Sequence, residues 1–145
     1  MRGQDKYLEQ LGRVPLFAAC SQKDLRSIAR AGDEIRVPAG QTLCEEGKPG
    51  REFFLILDGK AAVRRGKSKK NEVTLGPGQY FGEMALLDRG PRSATVVADT
   101  DMNLLVLGQR EFHGVVDEVP TLAHKLLATM AGRLRDADER ASHTH

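Results

Sequence analysis

The chain has 145 residues, 40% of them hydrophobic, and 22 basic residues against 20 acidic ones for a net charge of +2. That suits one soluble domain with a core of its own, and the charge is too even to argue for nucleic acid. No apolar run reaches the length of a membrane span, and the polar start Met1-Arg2-Gly3-Gln4-Asp5-Lys6 is no signal peptide, so the expected location is cytoplasmic, with Cys20 and Cys44 as thiols rather than a disulfide.

In chain order, Tyr7, Leu8, Leu11 and Val14 recur at near-helical spacing and predict a helix over 4–12. Val14-Pro15 breaks it, because proline disfavours helix in the residue before it. Ser21 reads as an N-cap with Asp24 in the first turn, opening a short helix whose apolar face is Leu25, Ile28 and Ala29. From about 33 to 108 the pattern is strand and corner. Glu34 to Val37 alternates, and Phe53 to Leu57 is a continuous apolar run that fits a strand buried on both faces. Asp58-Gly59 predicts a two-residue hairpin with Lys60 to Arg65 returning. Gly66-Lys67-Ser68-Lys69-Lys70-Asn71 reads as a solvated basic loop tip. Val73 to Leu75, Ser93 to Ala98 and Met102 to Leu107 complete the strands, with Gly76-Pro77-Gly78 as a corner. Short strands at even spacing predict a sandwich or jelly roll. Gln109 opens a helix carrying Phe112, Val115 and Val116. Pro120 begins the last one, with Leu122, Ala123, Leu126, Leu127, Met130 and Leu134 as its stripe. Gly132 weakens that helix and marks a bend or a close approach.

One stretch asks for a ligand. In Phe81-Gly82-Glu83-Met84-Ala85-Leu86-Leu87, a glycine opens a short apolar turn. Gly90-Pro91-Arg92-Ser93-Ala94-Thr95-Val96 then brings an arginine and a serine to the start of a strand. Gly82 permits close approach to the main chain, and N–H groups at a helix start attract anions. Arg92 offers a planar fork for a phosphate and Ser93 a neutral donor. Glu83 needs its own partner, such as a sugar hydroxyl. The stretch therefore predicts a ligand with an anionic group and a hydroxyl close together.

These residues resemble the phosphate-binding cassette of cyclic nucleotide-binding domains. That module is found in catabolite-activator-type regulators, cAMP-dependent kinase regulatory subunits and cyclic-nucleotide-gated channels. The likeness extends upstream to Pro38-Ala39-Gly40-Gln41, Glu46-Gly47, Phe53-Phe54-Leu55-Ile56 and Asp58-Gly59, and downstream into the helical end. It implies a mainly β fold with flanking helices: an eight-stranded jelly roll, or double-stranded β-helix, with N-terminal helices and C-terminal lid helices. The single domain over 1–145 would divide into a helical region (1–31), the jelly roll (33–108), C-terminal helices (109–140) and a frayed tail (141–145). The resemblance implies a cyclic nucleotide site at Phe81, Gly82, Glu83, Met84, Ala85, Arg92, Ser93, Ala94 and Arg133. Arg92, Ser93 and N–H groups near Gly82 and Ala85 would take the phosphate, Glu83 the ribose 2′-hydroxyl, and Arg133 the base. It implies a bacterial-type sensor with cAMP as the better ligand and cGMP the other, no cofactor and no catalysis.

Other chemistries find little support. His113, His124, His143 and His145 all lie outside the β region, which argues against a cupin-type metal site. Two cysteines are too few for an iron–sulfur regulator, and no Cys–His or Ser–His arrangement suggests nucleophilic catalysis. Catabolite-activator-type regulators continue past the last helix into a DNA-reading helix-turn-helix, for which these 145 residues have no room. The expectation is thus a sensor acting through a protein partner or a fused output domain, without direct nucleic-acid binding and without a membrane span. The alternatives are a jelly-roll interaction module without ligand, or a truncated transcriptional regulator.

Overall fold

A computed structural model describes residues 8–66, 72–82 and 91–143. Helix α1 (8–12) ends before a 3-10 turn over Pro15–Phe17, where proline at the first turn leaves Val14 extended. Helix α2 spans Gln22–Ala31 and begins as expected. The Ser21 hydroxyl accepts from the Asp24 N–H at 3.1 Å, and the Asp24 carboxylate accepts from the Ser21 N–H at 3.2 Å. This reciprocal cap satisfies donors that a helix start otherwise leaves bare.

Eight strands follow among the described residues: β1 (Asp33–Val37), β2 (Thr42–Cys44), β3 (Glu52–Asp58), β4 (Ala61–Arg64), β5 (Val73–Leu75), β6 (Tyr80–Phe81), β7 (Thr95–Ala98) and β8 (Met102–Gly108). They form two four-stranded antiparallel sheets in the orders β1-β8-β3-β6 and β2-β7-β4-β5, which is jelly-roll topology. Helix α3 (Gln109–Glu118) and helix α4 (Pro120–His143) complete the chain. No helix among the described residues is long and apolar enough to cross a membrane.

The apolar runs of β3 and β8 exist because the sheet they share is covered on both faces. Phe53, Leu55, Leu57, Leu105 and Leu107 pack on the helices, joined by Leu11, Phe17, Ile28, Phe112 and Leu126. Phe54, Ile56, Leu104 and Val106 point the other way, into the space between the sheets. The Phe53 and Phe112 rings stack at 5.0 Å, tying α3 to the sheet, and the Gln10 amide donates to the Leu57 carbonyl at 2.6 Å, tying α1.

Two expectations need correction. Asp58-Gly59 is no two-residue hairpin. Both edges of β3 are taken, by β8 and β6, so the chain cannot return beside it and crosses to the other sheet. Gly59 turns that corner at a φ of +92°, where a Cβ would run into the Asp101 main chain and Met102. The paired hairpin is β4–β5, with Val63 opposite Val73. Its basic tip, from Lys67 to Asn71, lies outside the described residues. The apolar stripe of α4 is also shorter than expected. Leu122 and Leu126 are buried, but Leu127 and Leu134 are 64% and 65% exposed. The helix runs without a break past Gly132, where a Cβ would meet nothing within 4 Å, and extends to His143.

Candidate functional site

Arg92 is the one buried charged side chain of the described residues, at 7% exposure. Its Nη1 donates to the Gly82 carbonyl at 2.9 Å and its Nη2 to the Glu52 carbonyl at 2.8 Å. The guanidinium carbon lies 5.9 Å from the Phe54 ring centroid. A guanidinium has five N–H donors. Two bonds to the main chain therefore fix its direction and leave donors over for an anion. Burial of such a cation is costly without partners, and the carbonyls lower that cost only in part. An anionic ligand would complete the compensation.

The main chain around Arg92 is held as firmly. Its N–H donates to the Lys48 carbonyl at 2.8 Å, its carbonyl accepts from Gly47 N–H at 2.9 Å, and Pro49 bridges Pro91. Gly82 faces it at a φ of +96°, and a Cβ there would sit 2.6 Å from the Glu52 carbonyl oxygen and 2.8 Å from Arg92 Nη1. Only glycine meets both demands, which explains its place before the cassette. The preceding Phe81 is fixed by stacking on Phe54 at 4.8 Å.

These groups edge a cavity of about 800 Å³ between the sheets. The structure brings Phe81, Gly82, Arg92, Ser93, Ala94 and Arg133 together on its wall. Arg92 and Ala94 are buried there and Ser93 is exposed to the cavity side of the chain's surface. Glu83, Met84 and Ala85 fall outside the described residues. Met130 and Leu134, from the stripe of the last helix, are not among the lining residues. The sequence reading left the apolar wall unnamed. It is formed by Val63, Val73, Leu75 and Val96, with the Cys44 thiol beside them. Period-two alternation could have found Val63, and Arg65, two residues on and just past the end of β4, also lines the cavity. Among the described residues no group of His, Cys, Asp or Glu is arranged to hold a metal ion.

The other thiol is unconnected with this site. Burial, and secondarily the carboxylate of Asp24, push the Cys20 thiol up from its ordinary pKa.

Comparison with known proteins agrees with this geometry. Residues 34–118 match the family described as Cyclic nucleotide-binding domain. The chain is 39% identical over 127 residues to the Cyclic AMP receptor protein of Thermus thermophilus, covering 86% of this chain and 59% of that one. It is 41% identical over 110 residues to a cyclic nucleotide-gated potassium channel of Mesorhizobium japonicum, covering 76% of this chain and 30% of the channel. It therefore spans less than two thirds of the length of either relative. Its backbone superposes on the crystal structure of the Thermus thermophilus catabolite activator protein with a TM-score of 0.80 at 34% identity, over 88% of this chain and 62% of that one. On its jelly roll, its buried arginine and these likenesses, the chain belongs to the cyclic nucleotide-binding domain family.

Proposed function

We propose that this chain is a non-enzymatic cyclic nucleotide sensor whose first ligand is cAMP. The observation that carries the reading is Arg92: a buried guanidinium aimed along a cavity wall by two carbonyls, beside a glycine that no other residue can replace. The cyclic phosphate lies against Arg92 and Ser93, with main-chain N–H groups near Gly82 and Ala85. Glu83 accepts from the ribose 2′-hydroxyl, and the base rests on the wall of Val63, Val73 and Leu75. The named relatives, a cyclic AMP receptor protein and a cyclic nucleotide-gated channel, support the ligand class. Isothermal calorimetry with cAMP and cGMP tests it directly. Saturable binding of one ligand per chain is expected, and heat indistinguishable from dilution for both ligands ends the reading. Glu83→Gln should weaken cAMP more than 2′-deoxy-cAMP; equal losses would remove Glu83 from the sugar.

Signalling is proposed to run through α4 to a partner or a fused output domain. A ligand shifts only an equilibrium between states it binds unequally. Arg133 places α4 against the cavity, so a bound nucleotide favours the helix in contact. Leu122 and Leu126 belong to the helix-side core, so a chain cut after Val119 loses packing as well as the cover. A chain ended at Ala128 separates the two: it should stay folded and release cAMP faster. Amide exchange over 127–135 should slow on adding cAMP, and equal rates with and without it would remove the signalling role.

A further inference from the structure

A cyclic nucleotide carries one negative charge, yet the cavity wall holds three arginines, Arg65, Arg92 and Arg133. Arg92 is oriented for the phosphate by the Gly82 and Glu52 carbonyls. Arg65 has no hydrogen-bond or ion-pair partner among the described residues. It follows β4 directly. Alternation along the strand puts it on the face of Val63, while Arg64 turns to the opposite face and pairs with Glu72 at 3.3 Å. It lies one residue beyond the Arg64–Thr95 pair, on the side of Ala94. The main chain next to it is pinned, because Gly66 N–H donates to Glu46 Oε1 at 2.8 Å. A fixed backbone thus presents a guanidinium at the end of the apolar wall that takes the base.

Resting on the cyclic nucleotide reading above, we propose that Arg65 is a specificity residue that grips the N7/O6 edge of a 6-oxopurine, and so admits cGMP and cIMP as ligands beside cAMP. A guanidinium has donors only. Guanine and hypoxanthine present two acceptors, N7 and O6, which its fork meets together. Adenine presents the N7 acceptor next to an N6 amino donor, so one arm of the fork faces another donor. Arg65 therefore adds affinity for the 6-oxo bases and almost none for adenine.

The experiment measures Kd for cAMP, cGMP and cIMP on the unsubstituted protein, Arg65→Gln and Arg65→Lys. Arg65 is exposed, so both variants should melt as the unsubstituted protein does. Arg65→Gln should weaken cGMP and cIMP about tenfold, with cAMP moving less than about twofold. Arg65→Lys should lose the same discrimination, because an ammonium keeps the charge and lacks the fork. Equal losses for all three ligands would assign Arg65 to the phosphate or to the general field and overturn the proposal. So would no loss for any, loss of cGMP with cIMP untouched, wild-type behaviour in Arg65→Lys, or an unsubstituted protein that binds cAMP and neither 6-oxo ligand. If the unsubstituted protein binds none of the three, the sensor reading itself falls.

Discussion

The two faces of the β1-β8-β3-β6 sheet are built from alternate residues of the same strands and serve opposite ends. The face toward the helices is filled: Leu55 and Leu105 are fully buried there, with Phe53 and Phe112 stacked beside them. The face toward the other sheet is filled only in part. Ile56 and Leu104 pack toward the corner glycine, Gly59, but at the other end, beside Phe54 and Arg92, the sheets border a cavity. The difference lies in the facing sheet. Toward Arg92 it offers Val63, Ala94 and Val96 to the cavity, side chains too small to reach across. The helix-side face is thus packed throughout, and the proposed ligand site lies where the other face is left unfinished.

The largest expected effect would break the molecule on its filled side. Leu55→Ala or Leu105→Ala removes a fully buried side chain with no room to collapse, and should cost about 2–5 kcal/mol. Urea unfolding measures it. Because both side chains turn away from the cavity, cAMP affinity of the remaining folded protein should change less than about twofold. A large affinity loss at matched folded fraction would show that the two faces are coupled.

Arg92→Ala comes next and should act on both sides. A lost charge-assisted hydrogen bond, worth about 1.5–3 kcal/mol, predicts at least roughly tenfold weaker cAMP binding. From sequence alone such a change should leave the fold untouched. The two carbonyl contacts alter that: Gly82 and Glu52 lose their donor, so stability should fall by about 1–3 kcal/mol. Calorimetry and a thermal melt on the same sample check both halves. Full affinity in Arg92→Ala would remove the phosphate assignment.

The contrast between faces also explains what the sequence could reveal. Phe53 to Leu57 announced a strand buried twice over, because both faces being covered leaves an uninterrupted apolar run. The cap at Ser21 was legible because it rests on a local chemical demand, whereas the contact of Gly82 with Arg92 joins residues ten apart and appears only in the fold. The Asp58-Gly59 corner misled, because its glycine serves a sheet crossing as well as it would a hairpin. Which way the chain turns depends on β6 and β8, supplied 22 or more residues later. The exposed Leu127 and Leu134 misled for a similar reason: helical periodicity finds a stripe but not where the body beneath it ends. The cavity's wall was hidden, since a Val-rich strand reads the same whether it faces a filled core or a hollow one.

Leu75→Ala sharpens the comparison from the hollow side. Leu75 is only half-buried and lines the cavity, so little packing is lost in the unliganded protein, and stability should fall by less than about 1 kcal/mol. In the proposed pose the same side chain is wall for the base, so cAMP should bind several-fold more weakly, on the order of one lost apolar contact. The opposite pattern, a large stability loss with unchanged affinity, would place the base elsewhere.

The smallest expected effect has the opposite sign. Gly132 and Gly114 sit inside helices α4 and α3, and a Cβ at either would meet nothing within 4 Å. Neither needs the left-handed backbone that holds Gly82 in place, since neither has a positive φ. Glycine in a helix interior costs about 0.5–1 kcal/mol relative to alanine, through the freedom it loses on folding. Gly114→Ala, on the exposed side of α3 and away from the cavity, should therefore raise the melting temperature and leave ligand kinetics alone. Gly132→Ala adds the same helix propensity one residue before Arg133, on the element proposed to close over the base. If α4 gives way locally to release ligand, stiffening it there should also slow cAMP dissociation, whereas a purely global gain in stability would leave the release rate where Gly114→Ala leaves it. Stopped-flow release from the two variants, compared at equal stabilisation, decides whether α4 moves as part of binding or merely borders the cavity.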